Sequence, residues 1–165
     1  SSYGMKLREH LIIGGVAMVV LYPHWGLWRA FLFCVAEVLI DADHYWDYLW
    51  RSKFVDWSGW RMFRYYRFIT QRLHDKNYLA FSLLHTAEVF IAVYLLARYW
   101  NYAFFMTIFW GMAFHLVLDM IWLLKYKVFF VRAYSIIEYW TRKRSMLRRG
   151  LNPDGFYKKM FELSE

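Results

Sequence analysis

Four apolar runs, residues 11–21, 27–40, 78–96 and 102–124, dominate the 165-residue chain, and only two prolines and eight glycines interrupt it. The last two runs approach the ~20 residues that cross a bilayer, and the first two reach that length only with flanking residues. Inside lipid a backbone must satisfy its own polar groups, which leaves the helix and the closed barrel. Runs this long and this poor in breakers predict helices. Hydrophobic residues make up 60% of the chain and aromatics 24%, more than the ~45–50% apolar share of an ordinary soluble domain requires. The expected fold is an all-α integral membrane protein with four transmembrane helices. Tyr22-Pro23-His24-Trp25-Gly26 predicts a turn that makes a hairpin of the first two helices, because its proline breaks a helix. Arg98-Tyr99-Trp100-Asn101 predicts a second turn, with aromatics at belt depth. The order is up-down-up-down.

Basic residues set the expected orientation. Lys6 and Arg8 precede the first run, seven Lys/Arg lie between His44 and Tyr78, and ten follow Leu124, leaving only Arg29 and Arg98 near the other turns. The positive-inside rule then places both termini and the long middle segment in the cytoplasm, in a membrane of the bacterial or archaeal inner-membrane type. The net charge of +8 is explained by this asymmetry. No basic soluble module is present to read nucleic acid, so no nucleic-acid partner is expected. Residues 46–76 interleave Trp46, Trp50, Trp57, Trp60, Phe63, Tyr66 and Phe68 with Arg51, Lys53, Arg61, Arg64, Arg67 and Arg72. This is the pattern of an amphipathic segment lying on an anionic membrane surface. Membrane lipid and its anionic headgroups are thus the expected partners, with Arg61, Arg64 and Arg67 as candidates to hold a headgroup; a protein partner or a second copy is compatible. The membrane domain is expected to span residues 5–124, and residues 125–165 to form a basic cytoplasmic tail. Ser1 to Gly4 read as residues added ahead of a natural start at Met5, and no cleavable signal is expected. The single cysteine, Cys34, permits neither an intrachain disulfide nor a thiolate cage.

Titratable residues inside the apolar runs carry the functional reading. Each costs about 2.5–3.5 kcal/mol to insert on translocon scales, which demands a compensating partner or function. His10 opens the first helix. Glu37, Asp41 and His44 fall at i, i+4 and i+7 of the second, with Asp43 beside them; His85 and Glu88 lie in the third, and His115 and Asp119 at i, i+4 in the fourth. In the expected topology all of them lie in the cytoplasmic half, where one ion could be shared. Imidazole and carboxylate without thiolate suit a divalent metal, Zn first, with Mn or Fe(II) as alternatives, and the carboxylate count suits one or two ions. The expected metal ligands are His10, Asp41, Asp43, His44, His85, His115 and Asp119. Asp43 and Glu88 are the candidate general bases. Glu37 and Glu88 have a bland alternative as neutral carboxyls bonded between helices, and His24 and His74 read as surface histidines.

The order of His10, Ile40-Asp41-Ala42-Asp43-His44, His85-Thr86 and Gly111-x-x-x-His115-x-x-x-Asp119 resembles the membrane-bound metal-dependent hydrolase family, which includes LexA-regulated inner-membrane proteins and is distantly similar to zinc-dependent phospholipase C. The resemblance covers residues 5–124. It implies metal-ligand roles for those same seven residues and, more weakly, a hydrolase. A departure stands in the third helix, where Leu83-Leu84-His85-Thr86 is followed by Glu88 and lacks the basic residue that often precedes a His-Ser pair in the family.

Two function classes follow. The first is a membrane-bound hydrolase acting on a phosphoester of a lipid or membrane-associated substrate at the cytoplasmic face. The second is a small scaffold or accessory subunit whose buried polar groups only join helices. A di-iron oxidase is a weaker enzymatic alternative, since Asp41-x-x-His44 is similar to the Glu-x-x-His motif of di-iron bundles but occurs once.

Overall fold

The computed structural model describes residues 7–164, so the expected additions ahead of Met5 lie outside the described residues. Among the described residues, seven α-helices and two short 3-10 turns make the chain mostly helical, with one pair of two-residue strands. The first helix, α1 (Leu7–Leu39), contains the expected hairpin. Gly26 sits at φ 76° and ψ 163°, a backbone state that a side chain would oppose, and Pro23 lies just before it. In a straight helix His10 and Glu37 would stand ~40 Å apart at 1.5 Å per residue, yet their side chains meet at 2.8 Å. The chain therefore doubles back at Gly26. The arms, residues 7–25 and 27–39, lie side by side.

The long helix α5 (Tyr102–Lys125) packs against both α1 and α4 (Ala87–Tyr99). Gly111 permits the α1–α5 approach: a Cβ there would lie 2.5 Å from the Phe33 carbonyl oxygen and 2.9 Å from the Ala36 Cβ. Two stretches, Arg8–Arg51 and Tyr102–Lys125, are long and apolar enough to cross a membrane by length and composition. Large apolar side chains such as Val19, Trp28, Ile91, Val117 and Ile121 stand exposed along these helices and α4.

The third apolar run departs from expectation. Residues 78–96 were expected as one spanning helix, but they divide into β1 (Ala80–Phe81), a 3-10 turn (Leu83–His85) and the 13-residue α4. At ~20 Å, α4 falls short of a ~30 Å hydrocarbon core. The cause is competition for the backbone. Ala80 and Phe81 pair in parallel with Arg132 and Ala133 of β2 (Arg132–Ala133), and the Asp43 carboxylate accepts the Leu84 N–H at 3.1 Å. Groups bonded sideways cannot also close helical turns.

The residues expected as a basic cytoplasmic tail are folded. α2 (Ala42–Arg51), α3 (Gly59–Thr70), α6 (Ile136–Arg148) and α7 (Pro153–Glu162) form a cap over one end of the helices. Its core joins Tyr48, Leu49, Tyr65 and Ile69 to Phe156, Tyr157 and Met160. The Tyr157 hydroxyl donates to the Leu79 carbonyl at 2.7 Å, and the Asn152 N–H to Asn77 Oδ1 at 2.8 Å. Residues 125–164 are thus built into the same body as the helices. The middle segment keeps the exposed aromatics expected of a surface anchor, with Trp46, Trp50, Trp57, Trp60 and Phe63 all facing outward.

Candidate metal centre

The hairpin, the α1–α2 joint, the 3-10 turn and α5 converge at one end of the bundle. His10 comes from the first arm of α1 and Glu37 from the second; Asp41 sits at the joint, and Asp43 and His44 open α2. His85 is carried by the 3-10 turn, and His115 and Asp119 by α5. The structure brings together all seven expected metal ligands, and His10, His85, His115, Glu37 and Asp43 are buried.

The imidazoles are ordered by pairs. His10 Nδ1 lies 2.8 Å from Glu37 Oε1, and its Nε2 faces Asp119 Oδ1 at 3.7 Å. His85 Nδ1 lies 3.1 Å from Asp43 Oδ2, and its Nε2 faces Asp41 Oδ1 at 3.8 Å and Asp119 Oδ2 at 3.7 Å. His115 Nε2 stands 3.3 Å from Asp41 Oδ1 and 3.8 Å from Asp119 Oδ2, while its Nδ1 turns to Glu37 at 3.6 Å. His10 and His115 stack with ring centroids 4.0 Å apart. His44 is part-exposed at the edge, with Nε2 3.4 Å from Asp41 Oδ1.

Two ways of neutralising this group differ in spacing, and of the His85 and His115 Nε2 distances only that from His115 to Asp41 Oδ1, 3.3 Å, falls at the edge of a metal tetrahedron. A protonated imidazole donating to a carboxylate closes to ~2.7–2.9 Å. Zn ligands at ~2.0–2.2 Å in tetrahedral array stand about 3.3–3.5 Å from one another. The His85 and His115 Nε2 atoms lie 3.3–3.8 Å from the carboxylate oxygens they face, and both nitrogens are buried without a hydrogen-bond partner. Ligand atoms of Asp41, His85 and His115 fall within 4.8 Å of one another, as do those of His10, Glu37 and His115. The donor set fits a divalent cation at the first trio, with Asp119 alongside.

Two roles expected from the sequence are placed differently. Asp43 stands behind His85, orienting the ring through Nδ1 and bonding the Leu84 N–H, the position of an outer carboxylate that fixes a ligand's tautomer. Glu88 is not brought to the cluster as a base: its Oε1 accepts the Ile136 N–H at 3.0 Å at the start of α6, where it holds the cap to α4. The apolar context of residue 88 misled because the partner is backbone from a segment 48 residues away.

Two residues were undervalued or missed. Glu37, expected as the less favoured ligand candidate, lies fully buried between His10 and His115. Arg132 was not singled out at all. Its Nη1 donates to Asp119 Oδ2 at 2.7 Å, and β1–β2 pairing holds its backbone in place. Burial opposes its charge, but the adjacent Asp119 carboxylate prevails and its pKa is raised. The available signal was a lone basic residue in the apolar stretch Phe129-Phe130-Val131-Arg132-Ala133. Of the three arginines expected to hold a headgroup, Arg61 is bound to Asp56 at 2.7 Å and covers the Phe161 ring, whereas Arg67 lines the cavity beside the cluster.

That cavity, of ≈ 720 Å³, opens on the cluster's outer side and is walled by His10, Asp41, His44, Asp119 and Arg132 at its polar end. Neither Asp43 nor Glu88 faces it. The chain matches no family model, no curated protein and no solved structure, so the resemblance named above rests on the motifs and their order alone.

Proposed function

We propose that the protein is a membrane-embedded, metal-dependent hydrolase acting on a phosphoester of a lipid or membrane-associated substrate. The observation that carries this reading is the pair of buried, partnerless His85 and His115 Nε2 atoms facing Asp41 and Asp119 at 3.3–3.8 Å beside a cavity. The motif resemblance supports the same class. A bound divalent ion, Zn first and Mn or Fe(II) as alternatives, would supply Lewis acidity and a water acidified toward neutral pH. His85, His115, Asp41 and Asp119 would hold it, with His10 on the Asp119 side as the site of a second ion. Glu37 and Asp43 fix the His10 and His85 rings through their Nδ1 atoms. His44 reaches the cavity wall, its backbone carbonyl held at 2.9 Å by the Tyr66 hydroxyl, and it is placed to carry a proton between solvent and the leaving oxygen of the substrate.

The membrane placement is part of the proposal. A core helix of a soluble domain is mostly buried, but only 6% and 28% of the two apolar windows are. Exposed apolar patches of that extent belong against lipid. Both termini and the cap are assigned to the cytoplasmic side of an inner-membrane-type bilayer by the charge asymmetry, with the exposed tryptophans of residues 46–60 at the interface. The test is hydrolysis of short-chain phospholipids and lipid phosphates in detergent. Metal-reversible turnover that disappears in His115→Ala supports the assignment, and metal-free protein of unchanged stability points to the scaffold alternative.

A further inference from the structure

Beyond its polar end, the cavity continues between α3 and α5 along Met62, Phe63, Ile69, Leu73 and Leu123, and Arg8 and Arg67 also line it. Its volume of ≈ 720 Å³ falls in the ~300–1,000 Å³ range of small-ligand pockets. A metal centre alone needs no such limb. The walls therefore combine charged side chains with a larger apolar share, a lining that suits an amphiphile.

Arg132 is the feature that fixes the sign of the head. A guanidinium offers five N–H donors in a rigid fork. Here one nitrogen is spent on Asp119, the Nε atom is buried without a partner, and the residue lines the polar end. Burying a donor with nothing to receive it costs free energy, and a planar fork beside a metal matches the two oxygens of a phosphoryl group. The carboxylates around it, Asp41 and Asp119, would repel an anion unless a cation neutralised them.

We infer that Arg132 is the headgroup-orienting residue of a substrate site that takes an amphiphile with one phosphoryl head and a hydrocarbon chain laid along α3 and α5. This rests on the metal reading above, since the anion is admitted only once the carboxylates are neutralised. It also moves the headgroup role from Arg61, which is occupied by Asp56, to a residue outside the middle segment.

The test uses detergent-purified full-length protein supplied with Zn²⁺, whose metal content is measured separately for every variant. A dodecyl phosphate carrying a photoreactive diazirine on its chain is crosslinked and its attachment sites mapped by mass spectrometry, with dodecanol bearing the same label as the neutral arm. Labelling should fall on α3 and α5 residues of the cavity. Arg132→Gln should weaken it about ten- to a hundred-fold, the scale of a lost charged hydrogen bond, with Arg132→Lys between, since charge returns without the fork. The dodecanol arm should not respond to either variant. Thr70→Trp, which puts a bulky ring at another α3 residue lining the cavity, should block labelling while metal content stays at the wild-type level. Orthophosphate should compete poorly with the alkyl phosphate.

Equal labelling in Arg132→Gln with metal bound, attachment outside the cavity, or competition by orthophosphate as strong as by the alkyl chain would overturn this inference and leave the metal reading standing. Wild-type protein that holds no metal would overturn the metal reading itself and, with it, the admission of an anion.

Discussion

Asp43 and His85 carry the account at its finest scale. A metal-ligating imidazole almost always has its other nitrogen held, which fixes the tautomer and ring orientation, and Asp43 Oδ2 at 3.1 Å holds His85 Nδ1. Asp43→Asn should keep the fold but weaken metal affinity about 10–100-fold, the range for outer-shell changes; a competitive titration against a chromogenic chelator measures it. His85→Ala and His115→Ala should lose more than that, since each removes a donor of the central trio, whereas His24→Ala at the exposed bend should lose nothing. Much at this scale was legible. Histidines and carboxylates inside apolar runs need a reason to be there, and their order along the chain assigned them to one end of the bundle. Arg132 was not legible because its meaning depends on β1–β2 pairing across 52 residues of sequence, from Ala80 to Arg132, and Glu88 was misread because its partner is a backbone N–H that no side-chain pattern announces.

At the scale of elements, the hairpin and the long fourth helix follow from local chemistry: a proline and glycine at the bend, and an uninterrupted apolar run. The third run could not be read the same way, because its first residues are claimed by Arg132, Ala133 and Asp43, contacts a periodicity argument cannot see. Two tests belong here. Gly111→Ala would gain up to about 1 kcal/mol of helix propensity on an isolated helix. Its Cβ would meet a backbone oxygen at 2.5 Å, which cannot rotate away, so a net loss of about 1–3 kcal/mol is expected, visible as a lowered thermal midpoint in detergent. A rise in midpoint would show that the α1–α5 approach is looser than described. The second test concerns Asp56 in the α2–α3 connection. Its pKa is lowered chiefly by the Ser58 N–H; burial, the next effect, opposes this, and the Tyr48 hydroxyl and Arg61 add to the lowering. A carboxylate whose folded pKa is depressed stabilises fully above its unfolded pKa of ~3.9 and loses that contribution as pH falls through the folded value. Wild type should therefore exceed Asp56→Asn in thermal midpoint at pH 6, and the gap should close as acidification carries the pH down through the lowered folded pKa.

For the whole molecule, composition led to the expectation of a membrane class and an orientation, and two helices are long and apolar enough to cross a membrane by length and composition. The protein should need detergent or lipid to remain monodisperse, and a reporter fused after Glu165 should read cytoplasmic; an external reporter would contradict the orientation. What sequence could not give was the role of the last 40 residues. Their basic character led to the expectation of a basic cytoplasmic tail, and Phe156, Tyr157 and Met160 bury against Tyr48, Tyr65 and Ile69, while the same segment delivers Arg132 to the cluster. Truncation after Lys125 should consequently abolish the folded protein rather than trim it.

The claim on which the rest depends is that Asp41, His85, His115 and Asp119 surround a cation. Elemental analysis of detergent-purified wild type and His115→Ala, with protein quantified in the same samples, tests it directly. One or two divalent ions per wild-type chain, lost in the variant and unchanged in His24→Ala, are expected. Wild-type protein that folds, stays monodisperse and carries no metal after exposure to Zn²⁺, Mn²⁺ and Fe²⁺ would contradict the account and leave the buried histidines as links between helices.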